Sequence, residues 1–362
     1  MAKFALGLMS GTSADGLTVS AVQLRPLRIL HFKNYPYPSR LQQKLLTAYA
    51  LPAAELSALH FELGKLYAKT VQKFLKEFHL SAADLEVTGS HGQTIYHGPY
   101  DAVPNTLQIG EPSFIAVQTG RPVVSDFRPM DMALGGQGAP LIPFFDAYVW
   151  GRGTPKILLN VGGISNFSVV GKNIKTFGFD VGPGNTLLDL AAQRLLKQPF
   201  DKNGRTAARG TPDVKRVQIL LRQKYFLQKP PKSLDKNTFG EKYLDRYFPR
   251  ADFKSTADLL ATLTWFTAAA VAQAVQQFVP AACRRELVVS GGGCYNHTLL
   301  AFLRRLLPAL KITTTLSYGI DPQAKESAAF ALFAWRALHG QINHCSRATG
   351  ARKDAVLGKI TL

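Results

Sequence analysis

The residues best placed to do chemistry stand in glycine-rich runs, each following an apolar stretch. Gly11-Thr12-Ser13-Ala14-Asp15-Gly16-Leu17-Thr18 comes close to the spacing G-x-x-x-x-G-K-[ST], but Leu17 occupies the lysine position and a strand pattern follows, so it is not a Walker loop. A tight turn of small residues still directs successive backbone N–H groups outward, and the Thr12 and Ser13 hydroxyls add donors suited to phosphate. Asp15 makes sense beside phosphate if Mg²⁺ lies between them, usually through water. An ordinary hairpin turn favours the same residue types. Gly162-Gly163-Ile164-Ser165-Asn166 repeats the pattern without the acid, and two such tips in corresponding places suit a polyphosphate held from both sides.

Phe179-Asp180-Val181-Gly182-Pro183-Gly184-Asn185 puts an acid at the end of a strand, before a turn into a helix. Ligands of open α/β sheets bind at that edge. Asp180 can serve there as a general base for a hydroxyl or water, or merely cap the helix. Gly291-Gly292-Gly293, after another apolar strand, allows close approach by a flat group such as a nucleobase, at a cost in chain entropy. His91-Gly92-Gln93-Thr94, Asp126-Phe127-Arg128 and Gly135-Gly136-Gln137-Gly138-Ala139-Pro140 mix hydrogen-bonding side chains with glycines, as a polyhydroxylated ligand requires. His91 also reads as a buried structural histidine. Glu326, beside Lys325, reads on composition as a solvated acid at a helix start.

The elements that must position these residues follow from periodicity. Phe4–Met9, Leu17–Leu24 and Arg28–Tyr37 read as a strand meander, and Ala53–His79 as a helix with Leu59, Leu63, Val71 and Phe74 on its apolar face. Leu85–Ser90 and Pro122–Ser125 read as short strands. Lys156–Val161 opens a second hairpin, Thr176–Asp180 adds a strand and Thr186–Leu196 a helix. Glu286–Ser290 is a strand before a helix from about Asn296, and Ala324–Leu338 is the last helix. The basic stretch Lys197–Lys254, with Pro230-Pro231, reads as a helical insertion with loops. Two halves opening on similar hairpins predict a duplicated α/β architecture with a cleft between them.

Composition bounds the rest. The chain has 362 residues, 46% hydrophobic and 19% charged, enough for two packed domains and inconsistent with a disordered chain. Lys and Arg number 43 against 24 acids, a net charge of +19, which fits an anionic partner without choosing one. The basic residues are scattered with no aromatic-interleaved motif, which argues against nucleic acid. Cys283, Cys294 and Cys345 show neither disulfide nor zinc spacing, pointing to a reducing compartment. The run from Phe4 to Met9 is too short for a signal core, and Leu259–Phe278 is interrupted by Thr and Gln; the reading is a soluble cytoplasmic protein with no membrane partner.

Together these motifs, with Met9-Ser10 before the first loop, Lys325-Glu326, Thr349-Gly350-Ala351 and Val356-Leu357-Gly358, resemble the anhydro-N-acetylmuramic acid kinase family over almost the whole chain. The resemblance implies a two-domain actin-like (ribonuclease H-like) α/β ATPase fold with an interdomain cleft. It places residues 1–126 plus 341–362 in the first domain and 127–340 in the second. It implies ATP and Mg²⁺ as cofactors, an anhydro-sugar substrate, and a homodimer acting in cell-wall recycling. By position, Asp180 would be the base for the attacking water, with Glu326 orienting water or sugar. Gly11 to Thr18, Gly162, Gly163, Ser165, Asn166, Gly182, Gly184, Asn185 and Gly291 to Gly293 would bind ATP. Asp15 would lie near the metal, and His91, Gln93, Asp126, Arg128 and Gln137 would bind the sugar. The family usually has Asp where Thr18 stands and Thr where Val181 stands, two departures that bear on metal, sugar or phosphate binding. A levoglucosan kinase and a non-catalytic nucleotide- or sugar-binding homologue are the competing expectations.

Overall fold

Apolar residues at successive rather than alternate positions mark strands covered on both faces. Phe4–Ser10 (β1) and Lys156–Val161 (β7) are such strands in the computed structural model, which describes residues 3–234 and 238–362. The chain divides into two compact units, Met1–Phe145 with Gln323–Leu362, and Asp146–Pro322.

In the first unit β1 pairs antiparallel with β2 (Gly16–Leu24), and β2 antiparallel with β3 (Leu27–Pro36). On its other side β1 runs parallel to β4 (Leu85–Gly98), and β4 parallel to β6 (Val123–Ser125). A hairpin strand, β5 (Asn105–Ile109), pairs with the far end of β4, and β12 (Lys359–Thr361) closes the edge beside β6. In the second unit β7 pairs antiparallel with β8 (Ile164–Val170), and β8 antiparallel with β9 (Phe177–Pro183). The other flank of β7 runs parallel to β10 (Glu286–Ser290), and β10 parallel to β11 (Lys311–Thr314). The order β3-β2-β1-β4-β6 thus recurs as β9-β8-β7-β10-β11 with the same strand directions. That order is ribonuclease H-like, and its duplication gives the actin-like α/β class the motifs predict.

The helices cover these sheets by apolar faces. Ala53–Glu77 buries Leu59, Leu63, Tyr67, Val71 and Phe74 at three- and four-residue spacing. Thr256–Phe278 is buried without a break from Leu259 to Ala272, as a helix at the centre of a core must be. Long and apolar enough to cross a bilayer, it has 83% of its most apolar window buried inside the protein. Two of its threonine hydroxyls are satisfied locally, Thr262 on the Asp258 carbonyl at 2.7 Å and Thr264 on that of Leu260 at 2.8 Å.

The unit boundaries differ from those expected. Residues 127–145 and 323–340 belong to the first unit, because the helix Lys325–Leu338 lies directly on its sheet. A side chain at Gly7 of β1 would run into the Ser327 carbonyl, and one at Gly89 of β4 into that of Phe330. The Ser20 and Ser327 hydroxyls meet at 2.6 Å. Phe127 and Phe144 pack on Phe330 and Phe333 of the same helix and draw their own segments with them. The basic stretch Lys197–Lys254 forms short helices, Val214–Leu220, Lys224–Leu227 and Glu241–Tyr247 among them; residues 235–237 lie outside the described residues.

Candidate active site

The turn between β1 and β2 is built to expose backbone. Ala14 takes a left-handed conformation (φ 49°) with its methyl buried, and its N–H donates to the Gly11 carbonyl at 3.1 Å. Thr12, Ser13 and Asp15 are left at the surface, with the Ser13 hydroxyl donating to Asp15 Oδ1 at 3.1 Å. Beneath them runs a buried polar chain. Tyr37 donates to Ser10 Oγ at 2.9 Å, Ser10 donates to Gln93 Oε1, and Gln93 Nε2 donates to the Gly11 carbonyl at 3.1 Å. Burial pushes the Tyr37 phenol up to about 12, so it remains a donor throughout the working range. Gln93, expected against the sugar, is 1% exposed and holds the turn instead. Leu17, expected at ATP, turns its side chain into the core at 1% exposure. The Thr18 hydroxyl donates to Asn34 on β3 at 3.3 Å.

The middle of β4 and the carboxyl end of β6 bring together His91, Asp126 and Arg128. Both Nε and Nη2 of Arg128 point at His91 Nε2, at 3.2 and 2.9 Å, and Nη1 donates to the Gly138 carbonyl at 2.7 Å. Nε2 is therefore the acceptor and Nδ1–H donates to the Gly92 carbonyl, 2.9 Å away. Burial, reinforced by the Arg128 charge, lowers His91 to about 3, so the ring is neutral and serves to aim Arg128. Asp126 takes a left-handed backbone (φ 52°) and pairs with Lys359 on β12 at 2.9 Å. His91, Asp126 and Lys359, with Ser90 and Gly92, line a cavity of ≈ 210 Å³. The buried Ser90 hydroxyl on its wall has no hydrogen-bond partner among the described residues. Gln137 donates its backbone N–H to the Thr349 carbonyl at 2.9 Å, and its Oε1 is buried without a partner among those residues.

Asp131 escaped the sequence reading. It is fully buried, and takes the Gly138 N–H at 2.6 Å, the Thr349 hydroxyl at 2.5 Å and His344 Nε2 at 2.6 Å. Burial works to raise its pKa, but the donors from His344, Thr349 and Gly138 outweigh it and hold the carboxyl below its ordinary value. It thereby ties the C-terminal segment to the loop that carries Gln137. Glu326 stands in the first turn of the helix Lys325–Leu338, partly exposed, while its neighbours Lys325 and Ser327 are buried.

In the second unit the two glycine-rich runs prove to be one joint. Gly163 accepts N–H groups from Gly184 and Thr186 at 2.9 and 3.2 Å, and Gly162 accepts that of Asn185 at 2.8 Å. Ser165 donates to the Pro183 carbonyl at 2.9 Å, and Thr267 to that of Gly184 at 3.0 Å. A Cβ on Gly184 would strike the Gly162 carbonyl, and one on Gly182 would sit 2.8 Å from the Phe226 ring. Ser165, Gly182 and Gly184, expected at ATP, are thus spent on internal contacts, whereas Gly163 stays exposed at the tip. Asn185 Nδ2 donates to the Val161 carbonyl at 3.2 Å. Of the three glycines after β10, Gly291 (φ 76°) and Gly293 pack on Val161, the end of β7, while Gly292 alone is exposed.

Asp180 lies 8% exposed on β9. Its Oδ2 accepts the Leu234 N–H at 2.8 Å, and its cross-strand neighbour on β8 is Asn166. Asn166 thus stands beside the acid rather than at the hairpin tip. Val181 is packed in the core at 1% exposure, so the hydroxyl of a threonine there would enter apolar packing rather than meet phosphate. Val181→Thr is expected to cost about 1–2 kcal/mol of stability, read by denaturant unfolding, and to leave turnover unchanged.

Two α/β units of one ribonuclease H-like order, each opening on a glycine-rich hairpin, define an actin-like protein. The family model described as anhydro-N-acetylmuramic acid kinase matches residues 3–362. Proteins of that name from Salinibacter ruber and Caldanaerobacter subterraneus subsp. tengcongensis are 38% and 36% identical to it over 379 and 384 residues. Each alignment covers 99% of this chain, with 96% and 97% of the respective relative. One from Shewanella sediminis is 38% identical over 362 residues, covering 98% of this chain and 97% of its own. The chain belongs to the anhydro-N-acetylmuramic acid kinase family. Among solved structures, component A of the (R)-2-hydroxyglutaryl-CoA dehydratase of Acidaminococcus fermentans is 12% identical, with a TM-score of 0.49 over 92% of this chain and 98% of that one.

Proposed function

We propose that this protein is an ATP-dependent kinase that opens 1,6-anhydro-N-acetylmuramic acid with water and phosphorylates O6, yielding N-acetylmuramic acid 6-phosphate. The observation that carries the reading is the Asp180 carboxylate, buried at the site edge of its sheet and aimed by the Leu234 N–H at 2.8 Å. Asp180 takes a proton from water, the water oxygen bonds to C1, the C1–O6 bond breaks, and O6 bonds to the γ-phosphorus as ADP leaves. A carboxylate that makes water nucleophilic couples the two bond changes. Asn166, cross-strand from Asp180, is assigned to the same water or to the phosphoryl group.

The backbone of the exposed residues Thr12, Ser13 and Asp15 and of Gly163 is assigned to the phosphates, and Gly292 to the adenosine. Asp15 fits Mg²⁺ as a single exposed carboxylate, since that ion keeps several waters and takes one or two carboxylates beside phosphate. Bound there, the ion would offset charge on the phosphate oxygens. Arg128, Asp126 and Gln137, with the cavity beside His91, are assigned to the sugar, and Glu326 to its orientation. Family membership also supports a homodimeric cytoplasmic enzyme of cell-wall recycling, which analytical ultracentrifugation and cell fractionation test.

The deciding assay is coupled ADP release with ATP and Mg²⁺, comparing 1,6-anhydro-N-acetylmuramic acid, levoglucosan and N-acetylmuramic acid as acceptors. Turnover with the first and little with the others is expected. Preference for levoglucosan moves the substrate, and silence with all three overturns the kinase reading.

A further inference from the structure

β9 is the edge strand of its sheet, and its outer side is covered by an irregular segment, Lys232–Leu234. The cover is specific to Asp180. The Asp180 N–H donates to the Lys232 carbonyl at 3.1 Å, the Leu234 N–H donates to Asp180 Oδ2 at 2.8 Å, and the Tyr225 hydroxyl donates to the Asp180 carbonyl at 2.5 Å. Lys232 anchors the segment in an unusual way: it is 1% exposed. Its ammonium lies 4.6 Å from the centroid of Tyr225, 4.9 Å from Phe278 and 5.5 Å from Phe179, and donates to the Tyr225 carbonyl at 2.9 Å. Taking a cation out of water is costly, and three aromatic faces with one carbonyl offset part of that cost.

We propose that Lys232 is a positioning residue for the reaction: its charge, held in the aromatic cage, pins the segment whose Leu234 amide aims the Asp180 carboxylate. The inference rests on the reading of Asp180 as the base. An apolar side chain of similar volume would fill the cage but lose the cation–π attraction, leaving Leu234 free to drift from Oδ2. The groups facing Lys232 are the rings of Phe179 on β9, Phe278 at the end of its helix and Tyr225 on Lys224–Leu227; Asp180 and Tyr225 are the titratable ones beside it. Burial lowers the Lys232 pKa to about 8, so the cage loses its charge as pH rises through that value.

The test measures kcat and KM against pH for the wild type, Lys232→Met, Lys232→Arg and Asp180→Asn, with a thermal melt for each. Lys232→Met is expected to lower kcat at least about tenfold with both KM values within about twofold, as small misplacements of a reacting group do. The wild type should lose turnover near pH 8 to 9, and Lys232→Met should lack that limb. If Lys232→Met does not fold, Lys232→Arg decides: its permanent charge should abolish the limb while recovering most of the turnover. A Lys232→Met enzyme with kcat within twofold of wild type, or a limb unchanged in either variant, overturns the proposal. An inactive Asp180→Asn beside a normal Lys232→Met defeats only the role of Lys232, whereas a fully active Asp180→Asn defeats the base assignment itself.

Discussion

Asp180→Asn is expected to cut ADP release at least about 10²-fold, the ordinary worth of a positioned general base, while the protein still folds. The side chain keeps its shape, and its amide oxygen accepts the Leu234 N–H as Oδ2 does now. What it loses is the basic lone pair that takes the proton of water. Substrate binding makes no use of that lone pair, so KM for ATP and for the sugar should stay near the parent values, and the loss should fall on kcat. Steady-state kinetics with a melting curve separates this outcome from unfolding. An Asn variant with wild-type kcat would remove Asp180 from the chemistry.

The second large effect lies away from the chemistry. Gly7→Ala places a methyl group against the Ser327 carbonyl and 2.6 Å from the Ala331 nitrogen, both backbone atoms of the helix Lys325–Leu338. Backbone held in a helix does not rotate aside as a side-chain tip does, so the whole helix must lift from β1. Overpacking of this kind is expected to cost about 3 kcal/mol or more. In a unit of this size the melting temperature should fall by roughly 6–12 °C. Glu326 rides on the first turn of that helix, and its shift should lower turnover as well. Gly120→Ala is the control: with φ 62° and nothing within 4 Å of a new methyl, it carries only left-handed strain, about 1–2 kcal/mol. Equal melting shifts for the two variants would contradict the steric account.

The hairpins and their glycine turns were legible because they are local: apolar runs, a break of small polar residues, and a second run are read without tertiary information. The strands that escaped were those whose pattern is set by partners. β4 continues past Ser90 through His91, Gly92 and Gln93, polar residues buried by contacts from Ser10 and Arg128. β11 and β12 are short edge pieces with no apolar run of their own, and they pair only because β10 and β6 offer an open side. The boundary at residues 127–145 and 323–340 was hidden for a related reason. Two glycines far apart in sequence, Gly7 and Gly89, make the seat for one late helix.

The site divides along the same line. The sequence alone determined the repeat of glycine-rich tips, the family and hence the chemistry to be sought, since residue types and short spacings carry that information; Asp180, expected at a strand end, lies inside β9, which runs on to Pro183. Only the tertiary structure decided what each polar group does with its hydrogen bonds. Gln93 and Ser165 have the composition of ligand contacts, yet they donate to Gly11 and Pro183. Val181 sits next to the base in sequence, yet its side chain is packed in the core where β8 and β9 shift register. Lys232 and Asp131 carry no local signal, and burial makes one the anchor of the Asp180 segment and the other the tie of the C-terminal loop. A donor or acceptor buried without a partner is costly, so the partner fixes the role, and the partner is chosen by the fold.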